Sequence, residues 1–315
     1  MITISVPAKL HLLGEHSVVY GKPALLAAID RRILIKIAPS RIKSICGADD
    51  CSEKIDKLLQ ILEIEIKKRF KFEKNEQYSI SIKSEIPIGS GLGSSAAFSA
   101  GLTAALLTFF QIKWDKKTIF DIAYEGEKYF HGNPSGGDLA TVIEGGFLWF
   151  RKESEFLKTF SALPFRPHKN IKQFILINSG KSEESTKEMV EKVAKLKISF
   201  PDKIQTLFNL QEELTKKMTI ALKNGDEESL MESIRLGEKN LEELGVVGLK
   251  ARSIIKQIEK LGGAAKISGA GGVKDGSGML LIYHRDVKKI LNYAELNNLK
   301  LFTTKIEMEG LRKDE

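Results

Sequence analysis

Cysteine is nearly missing from this chain: Cys46 and Cys51 are the only two among 315 residues. No CxxC pair and no histidine cluster accompanies them, which argues against a zinc site and a disulfide framework. A single disulfide across the short 46–51 interval stays open; two free thiols in a reducing cytoplasm is the simpler reading. Long apolar runs are missing too. The stretch Ala104 to Phe110 falls far short of the roughly 20 residues a bilayer requires, so no membrane association is expected. The opening Met1 to Val6 has neither the charged start nor the cleavage site of a secretion signal, and its alternation reads as a β-strand. Low-complexity tracts and internal repeats are also lacking, which excludes fibrous, solenoid and linker architectures.

What remains is the composition of a soluble globular protein, long enough for one large domain or two ordinary ones. The net charge of +8 points to anionic partners without naming them. The one stretch resembling a nucleic-acid patch is Lys67-Lys68-Arg69-Phe70-Lys71-Phe72. It follows Ile55, Leu58, Leu59, Leu62 and Ile66, which fall at helical spacing. The cations are then the solvated last turn of a helix, where they suit its dipole, and no nucleic-acid partner is expected.

β-type alternation runs through Ala38, interrupted by a turn from Gly14 to Pro23. A helix at about 53–70, a strand from Tyr78 to Ile86, and a helix capped by Asp115 and ending near Phe130 follow. Strand-like Gly146 to Phe150 leads into an irregular polar stretch, Arg151 to Asn170, which marks a boundary between units 1–165 and 166–315. Beyond it come a strand at Gln173 to Asn178 and helices over Ser185–Leu196, Lys203–Asn224, Glu227–Leu244 and Leu249–Leu261, with Gly225 and Gly245 as stops. A glycine-rich loop, a strand at Met279–Tyr283, a helix near 286–296 and a last strand, Leu301 to Glu307, complete a two-domain α+β pattern.

The most informative segment is Pro87-Ile88-Gly89-Ser90-Gly91-Leu92-Gly93-Ser94-Ser95, leading into the apolar run Ala96 to Phe110. Glycines let the backbone approach a bulky anion, and the free N–H groups of a first helical turn bind phosphate. Ser94 and Ser95 add hydroxyls within reach of a phosphate oxygen or a Mg2+. On the helix from Asp115, Glu127 shares a stripe with Ile119, Ile122, Ala123 and Gly126, whereas Glu125 falls on the outer face with Asp121 and Lys128. An inward carboxylate requires a cation, a metal or donors, so Glu127 reads as a metal ligand or as a structural glutamate at a rim. Asp138 follows Gly136-Gly137 and is by itself a candidate helix cap. Lys9 and His11, within the alternation Ile4 to Leu13, read alone as solvent-facing strand residues, His11 being the weaker candidate.

Together these segments resemble the GHMP kinase superfamily, and most closely its mevalonate kinase branch. Pro7-Ala8-Lys9-Leu10-His11-Leu12-Leu13-Gly14-Glu15-His16 is similar to that branch's N-terminal motif, and Pro87 to Ala97 to the superfamily's phosphate loop. Gly126-Glu127 through His131-Gly132-Asn133-Pro134-Ser135-Gly136-Gly137-Asp138 resembles the segment carrying the catalytic Asp. Asn240-Leu241-Glu242-Glu243-Leu244-Gly245 and Lys266-Ile267-Ser268-Gly269-Ala270-Gly271-Gly272 resemble the two C-terminal signatures.

The resemblance implies an N-terminal domain like ribosomal protein S5 domain 2 and a ferredoxin-like C-terminal domain with extra helices, with ATP and Mg2+ between them. It implies Asp138 as catalytic base with Lys9 beside it, Ser95 and Glu127 as Mg2+ ligands, and Glu15, His16 and Thr186 near the substrate. Pro87 and Gly89 to Ser95 would hold phosphates, with Gly269, Ala270, Gly271 and Gly272 closing over them. The implied reaction is ATP-dependent phosphorylation of the primary hydroxyl of mevalonate by a cytoplasmic monomer or homodimer. The alternatives are a GHMP kinase acting on phosphomevalonate or a sugar, and a non-catalytic binding protein on the same scaffold. Three departures from the pattern stand out. Val273-Lys274-Asp275 interrupts a glycine run, Gly137 replaces an apolar residue and is expected to loosen its loop, and Leu139 replaces an Asn in what is expected to be the acceptor pocket.

Overall fold

The computed structural model describes residues 1–46, 52–71, 76–87 and 90–314. Gly89 and Ile88 of the phosphate loop, Phe72 of the basic patch, and the pairing of Cys46 with Cys51 therefore lie outside the described residues.

The first half is built on two long antiparallel strands, β1 (Ile2–Leu13) and β2 (Pro23–Pro39), joined through a 3₁₀ turn at Ser17–Tyr20. After β3 (Ser44–Cys46), helix α1 (Ser52–Phe70) and β4 (Tyr78–Ser84), the chain enters α2 (Ser94–Phe109). Helices α3 (Lys116–His131) and α4 (Gly137–Glu144) and the hairpin of β5 (Phe147–Lys152) and β6 (Lys158–Ala162) follow. The first sheet runs β3-β4-β2-β1, with β5 and β6 added along the start of β2. Helix α2, rich in small and apolar residues, is buried on nearly every side between this sheet and α1, α3 and α4. Asp115 caps α3 as expected, its Oδ1 accepting from the Thr118 N–H at 2.7 Å.

In the second half β7 (Phe174–Asn178) leads to helices α5 (Thr186–Ser199), α6 (Pro201–Asn224), α7 (Glu227–Glu243) and α8 (Leu249–Lys260). Strands β8 (Ala264–Ile267) and β9 (Met279–Tyr283), helix α9 (Val287–Leu296) and β10 (Leu301–Thr304) complete a sheet ordered β10-β7-β9-β8. Gly225 ends α6 in the left-handed conformation at φ 75°. The chain then returns: β11 (Arg312–Asp314) pairs with β1, and Arg32 holds this tail by donating to the Gly310 carbonyl at 2.8 Å.

Four strands differ from the sequence expectation. The stretch Arg151–Asn170, read as irregular, contains β6, an exposed edge strand whose alternation is too weakly apolar to register alone. Strands β3, β8 and β11 are three or four residues long and take their conformation from a partner rather than from local propensity. Among the described residues, no helix is long and apolar enough to cross a membrane.

Candidate active site

Lys9 sits midway along β1, and its side chain is 6% exposed, so the solvent-facing reading fails. Its backbone N–H donates to the Leu92 carbonyl at 3.0 Å, tying the strand to the loop before α2. The side chain then passes Gly93, where an added Cβ would stand 2.6 Å from Lys9 Cγ. Gly93 also has φ +75°, so that position excludes a side chain on two grounds. Beyond it, Lys9 Nζ meets Asp138 Oδ1 at 3.0 Å, with the Asp138 side chain 44% exposed. Asp138 is not the cap of α4. That place is held by Gly136 at φ 84°, and Asp138 occupies the first turn, free to face Lys9 and solvent together.

Gly137 and Leu139 behave differently from expectation. A Cβ on Gly137 would press on Phe150 Cδ1 at 3.0 Å and Leu26 Cδ1 at 3.1 Å, so this glycine permits close packing rather than looseness. Leu139 is 1% exposed and belongs to the hydrophobic core, so it does not line a pocket.

Next to this pair, α2 begins at Ser94 with Gly93 as its N-cap, and among the described residues no side chain caps it. Ser90 braces the preceding loop by donating to the Pro87 carbonyl at 2.6 Å. Glu127 is buried, as its stripe on α3 predicts, and the serines of α2 reach it: Ser99 Oγ donates at 3.0 Å and Ser95 Oγ at 3.3 Å. Burial pushes the Glu127 carboxyl up to about 7, and nearby Asp138 adds to the effect. Such a carboxylate, with neutral donors on one side, suits a hard divalent cation. His131 was not singled out from sequence. Its Nε2 lies 3.0 Å from Ser95 Oγ and 3.7 Å from Glu127, and its spacing of four residues from Glu127 was the available signal. Glu125 stays outside, paired with Lys128 at 2.7 Å, and Arg69 of the basic run turns to Asp121 at 2.8 Å.

The second half supplies the facing wall. A Cβ on Gly91 would stand 3.6 Å from the Ser268 carbonyl, which places the two glycine-rich loops opposite each other. Gly269 has φ +112°, and among the described residues nothing lies within 4 Å of an added Cβ. Gly271 and Gly272 are instead packed, against the Val246 carbonyl and Ser182 Oγ. The departure at Val273–Asp275 is pinned outward: Lys274 N–H donates to Glu184 Oε1 at 3.2 Å, and its side chain is exposed. Below the loop, His16 is buried at φ +60°, a conformation uncommon for a residue with a side chain. Its Nε2–H donates to the Ala270 carbonyl at 3.0 Å, leaving buried Nδ1 without a partner among the described residues. Burial holds the ring below the usual histidine range. Glu15 is buried against Lys266, a residue that sequence reasoning quoted only as part of a motif. Thr186 stands apart, exposed in the first turn of α5, and among the described residues no hydrogen bond or ion pair links it to Lys9 or Asp138.

This arrangement has relatives. The family described as GHMP kinases N terminal domain matches residues 56–146. The chain is 35% identical over 272 residues to a mevalonate kinase of Archaeoglobus fulgidus, covering 85% of this chain and 88% of that one. It is 30% identical to a mevalonate kinase of Thermococcus sibiricus over 99% and 98% of the two chains. Among solved structures, L. major mevalonate kinase in complex with R-mevalonate superposes with a TM-score of 0.81 at 19% identity, covering 96% of this chain and 95% of that one. That likeness shows the fold. The identity to the archaeal enzymes, over nearly the whole chain, shows the lineage: this protein belongs to the mevalonate kinase family of the GHMP kinases.

Proposed function

We propose that this protein transfers the γ-phosphoryl group of ATP to the primary hydroxyl of mevalonate, giving 5-phosphomevalonate and ADP. The observation that carries the reading is the Lys9–Asp138 pair at 3.0 Å, half open to solvent, beside the uncapped start of α2. Phosphoryl transfer asks mostly for positioning and charge stabilisation, and these groups supply both.

Asp138 accepts the hydroxyl proton and orients the attacking oxygen. Lys9 neutralises charge that develops on the transferred group. The first-turn amides of α2 and the loop from Pro87 through Gly89, Ser90, Gly91, Leu92 and Gly93 to Ser94 hold phosphate oxygens. Gly269 and the neighbouring Ala270, Gly271 and Gly272 close this cradle from the second half. Ser95 and Glu127 would hold Mg2+, the ion that, when bound, supplies positive charge at the phosphates. Their burial and donor chemistry fit that ion. His16, with Nδ1 free to accept, forms the acceptor end; Glu15 stands behind it, sealed against Lys266, and acts there through that pair rather than by touching substrate. Thr186 enters only if α5 approaches the substrate. The same reading treats 1–165 and 166–315 as two units, with β11 of the second running back onto the first sheet, in a cytoplasmic monomer or homodimer.

An ADP-release assay with ATP and Mg2+ compares mevalonate, 5-phosphomevalonate, galactose and homoserine as acceptors. Turnover with mevalonate alone is expected. Turnover with a different acceptor only would discard the acceptor reading and keep the kinase.

A further inference from the structure

At the foot of the cleft, Lys266 has no exposed surface. It is the third residue of β8, and alternation sets it with Ala264 on one face while Ala265 and Ile267 pack into the core behind the other. A buried ammonium in such a place requires compensation. Its Nζ donates to the Glu15 carboxylate and to the Ile267 carbonyl. Glu15, just past β1, has a side chain only 1% exposed. The ion pair thus joins residues 251 positions apart in the chain and is sealed from water.

The neighbouring charges leave this pair balanced. Glu238 on α7 accepts the Ile267 N–H through Oε2 at 2.9 Å, while its buried Oε1 has no partner among the described residues. Burial pushes that carboxyl up to about 8, so at neutral pH it adds little second negative charge. His11, whose Nε2 is buried and unpartnered, is lowered to about 4 by burial and is neutral.

Two more contacts follow from the same segment onto the same stretch of the first half. Ser268 Oγ donates to the His11 carbonyl at 3.1 Å and accepts from the His11 N–H at 3.2 Å. Ala270 accepts from the His16 ring at 3.0 Å. Residues 266, 268 and 270 therefore lace the strand leading into the second glycine loop onto 11–16. Only the first of the three contacts is ionic and fully dry, and it comes first along the segment.

We propose that Lys266 is a positioning residue for phosphoryl transfer: its buried pair with Glu15 sets where Gly269–Gly272 and His16 stand relative to Lys9, Asp138 and the start of α2. The proposal rests on the kinase reading above.

The test compares the full-length wild type with Lys266→Met, which removes the charge, and Lys266→Arg, which keeps it. One arm follows amide hydrogen exchange over 11–17 and 268–272; the other measures kcat and KM with ATP, Mg2+ and mevalonate. Lys266→Met is expected to melt cooperatively and to exchange at least about 10-fold faster in both segments. Its kcat is expected to fall by about 10–100-fold, with KM for ATP moving less than about 3-fold, because misplacement by an ångström suffices for such losses. Lys266→Arg is expected to recover part of the lost kcat. Unchanged exchange in both segments, or faster exchange with a wild-type kcat, overturns the proposal. Should Lys266→Met melt without cooperativity, Lys266→Gln, which keeps a hydrogen-bond donor at the position, is judged by the same criteria. Failure of the kinase reading is seen separately, as wild-type protein silent with mevalonate, whereas failure of the Lys266 proposal is seen as unchanged exchange or unchanged kcat in an active wild-type background.

Discussion

Two lysine–carboxylate pairs stand near each other at the cleft, and their surroundings give them opposite work. Lys9 and Asp138 meet at 3.0 Å with the acid 44% exposed. Lys266 and Glu15 meet with side chains 0% and 1% exposed. A pair open on its acid side is weak as a structural contact, because water screens it, but the carboxylate can reach a substrate hydroxyl. A sealed pair is out of substrate's reach, and losing either member strands a charge. The difference in exposure is what divides chemistry from scaffolding here.

The contrast is broken most directly at the open pair. Asp138→Asn and Lys9→Met are each expected to cost about 10²–10⁴-fold in kcat, the usual loss for an aligned base or electrostatic donor. Asp138→Asn should barely shift stability, by less than about 1 kcal/mol, because the ion pair it removes is screened. Steady-state kinetics and urea unfolding on the same preparations check both halves of that statement. A fully active Asp138→Asn protein would remove Asp138 from the mechanism.

The sealed pair should answer in the opposite coin. Lys266→Met leaves Glu15 buried without its cation and is expected to lower the unfolding free energy by about 3–5 kcal/mol. Adding Glu15→Gln to that variant should return part of the loss, since no lone charge is then buried. A urea-unfolding double-mutant cycle reads the coupling. Additive single losses would mean that the two side chains do not sense each other.

Legibility in the sequence followed the same division. Lys9 and Asp138 were legible only through the resemblance of their segments, since alone they read as a solvent-facing strand residue and a helix cap. Ser95 beside the glycine loop and Glu127 on the inward stripe were flagged by position as well. The structure gathers the four at the start of α2. Most helices were readable because they carry their own period or cap, as Asp115 and Gly225 show; the short α4 was only hinted at by Asp138, because its cap is Gly136 and not a side chain. The short strands β3, β8 and β11 were not, because a partner strand rather than local composition makes them extended. Lys266 was hidden for a related reason. A lysine between two alanines and an isoleucine reads as a surface residue until the fold brings Glu15 from 251 positions away. Gly137 misled in the other direction: its role is set by Phe150 and Leu26, neither of which is near it in sequence.

Glu238 gives the finest test, because it is the acid at the sealed site that has no cation of its own. Its carboxyl is raised to about 8 chiefly by burial, with Glu242 and Glu15 adding to the rise, and the Ile267 N–H and Lys266 opposing it. A carboxyl raised in the folded state stabilises most fully below its unfolded value, near 4.5, and that contribution is lost as pH climbs through about 8. Glu238→Gln keeps the shape of the protonated acid and removes the titration. It should match wild type near pH 5 and become the more stable protein by about 1–3 kcal/mol as pH rises toward 9. Unfolding curves at pH 5, 7 and 9 decide it. A constant deficit of the wild type across the three would mean that Glu238 is already ionised throughout this window. Lys266 would then be shared between two carboxylates, and the sealed site would no longer be the balanced counterpart of the open one.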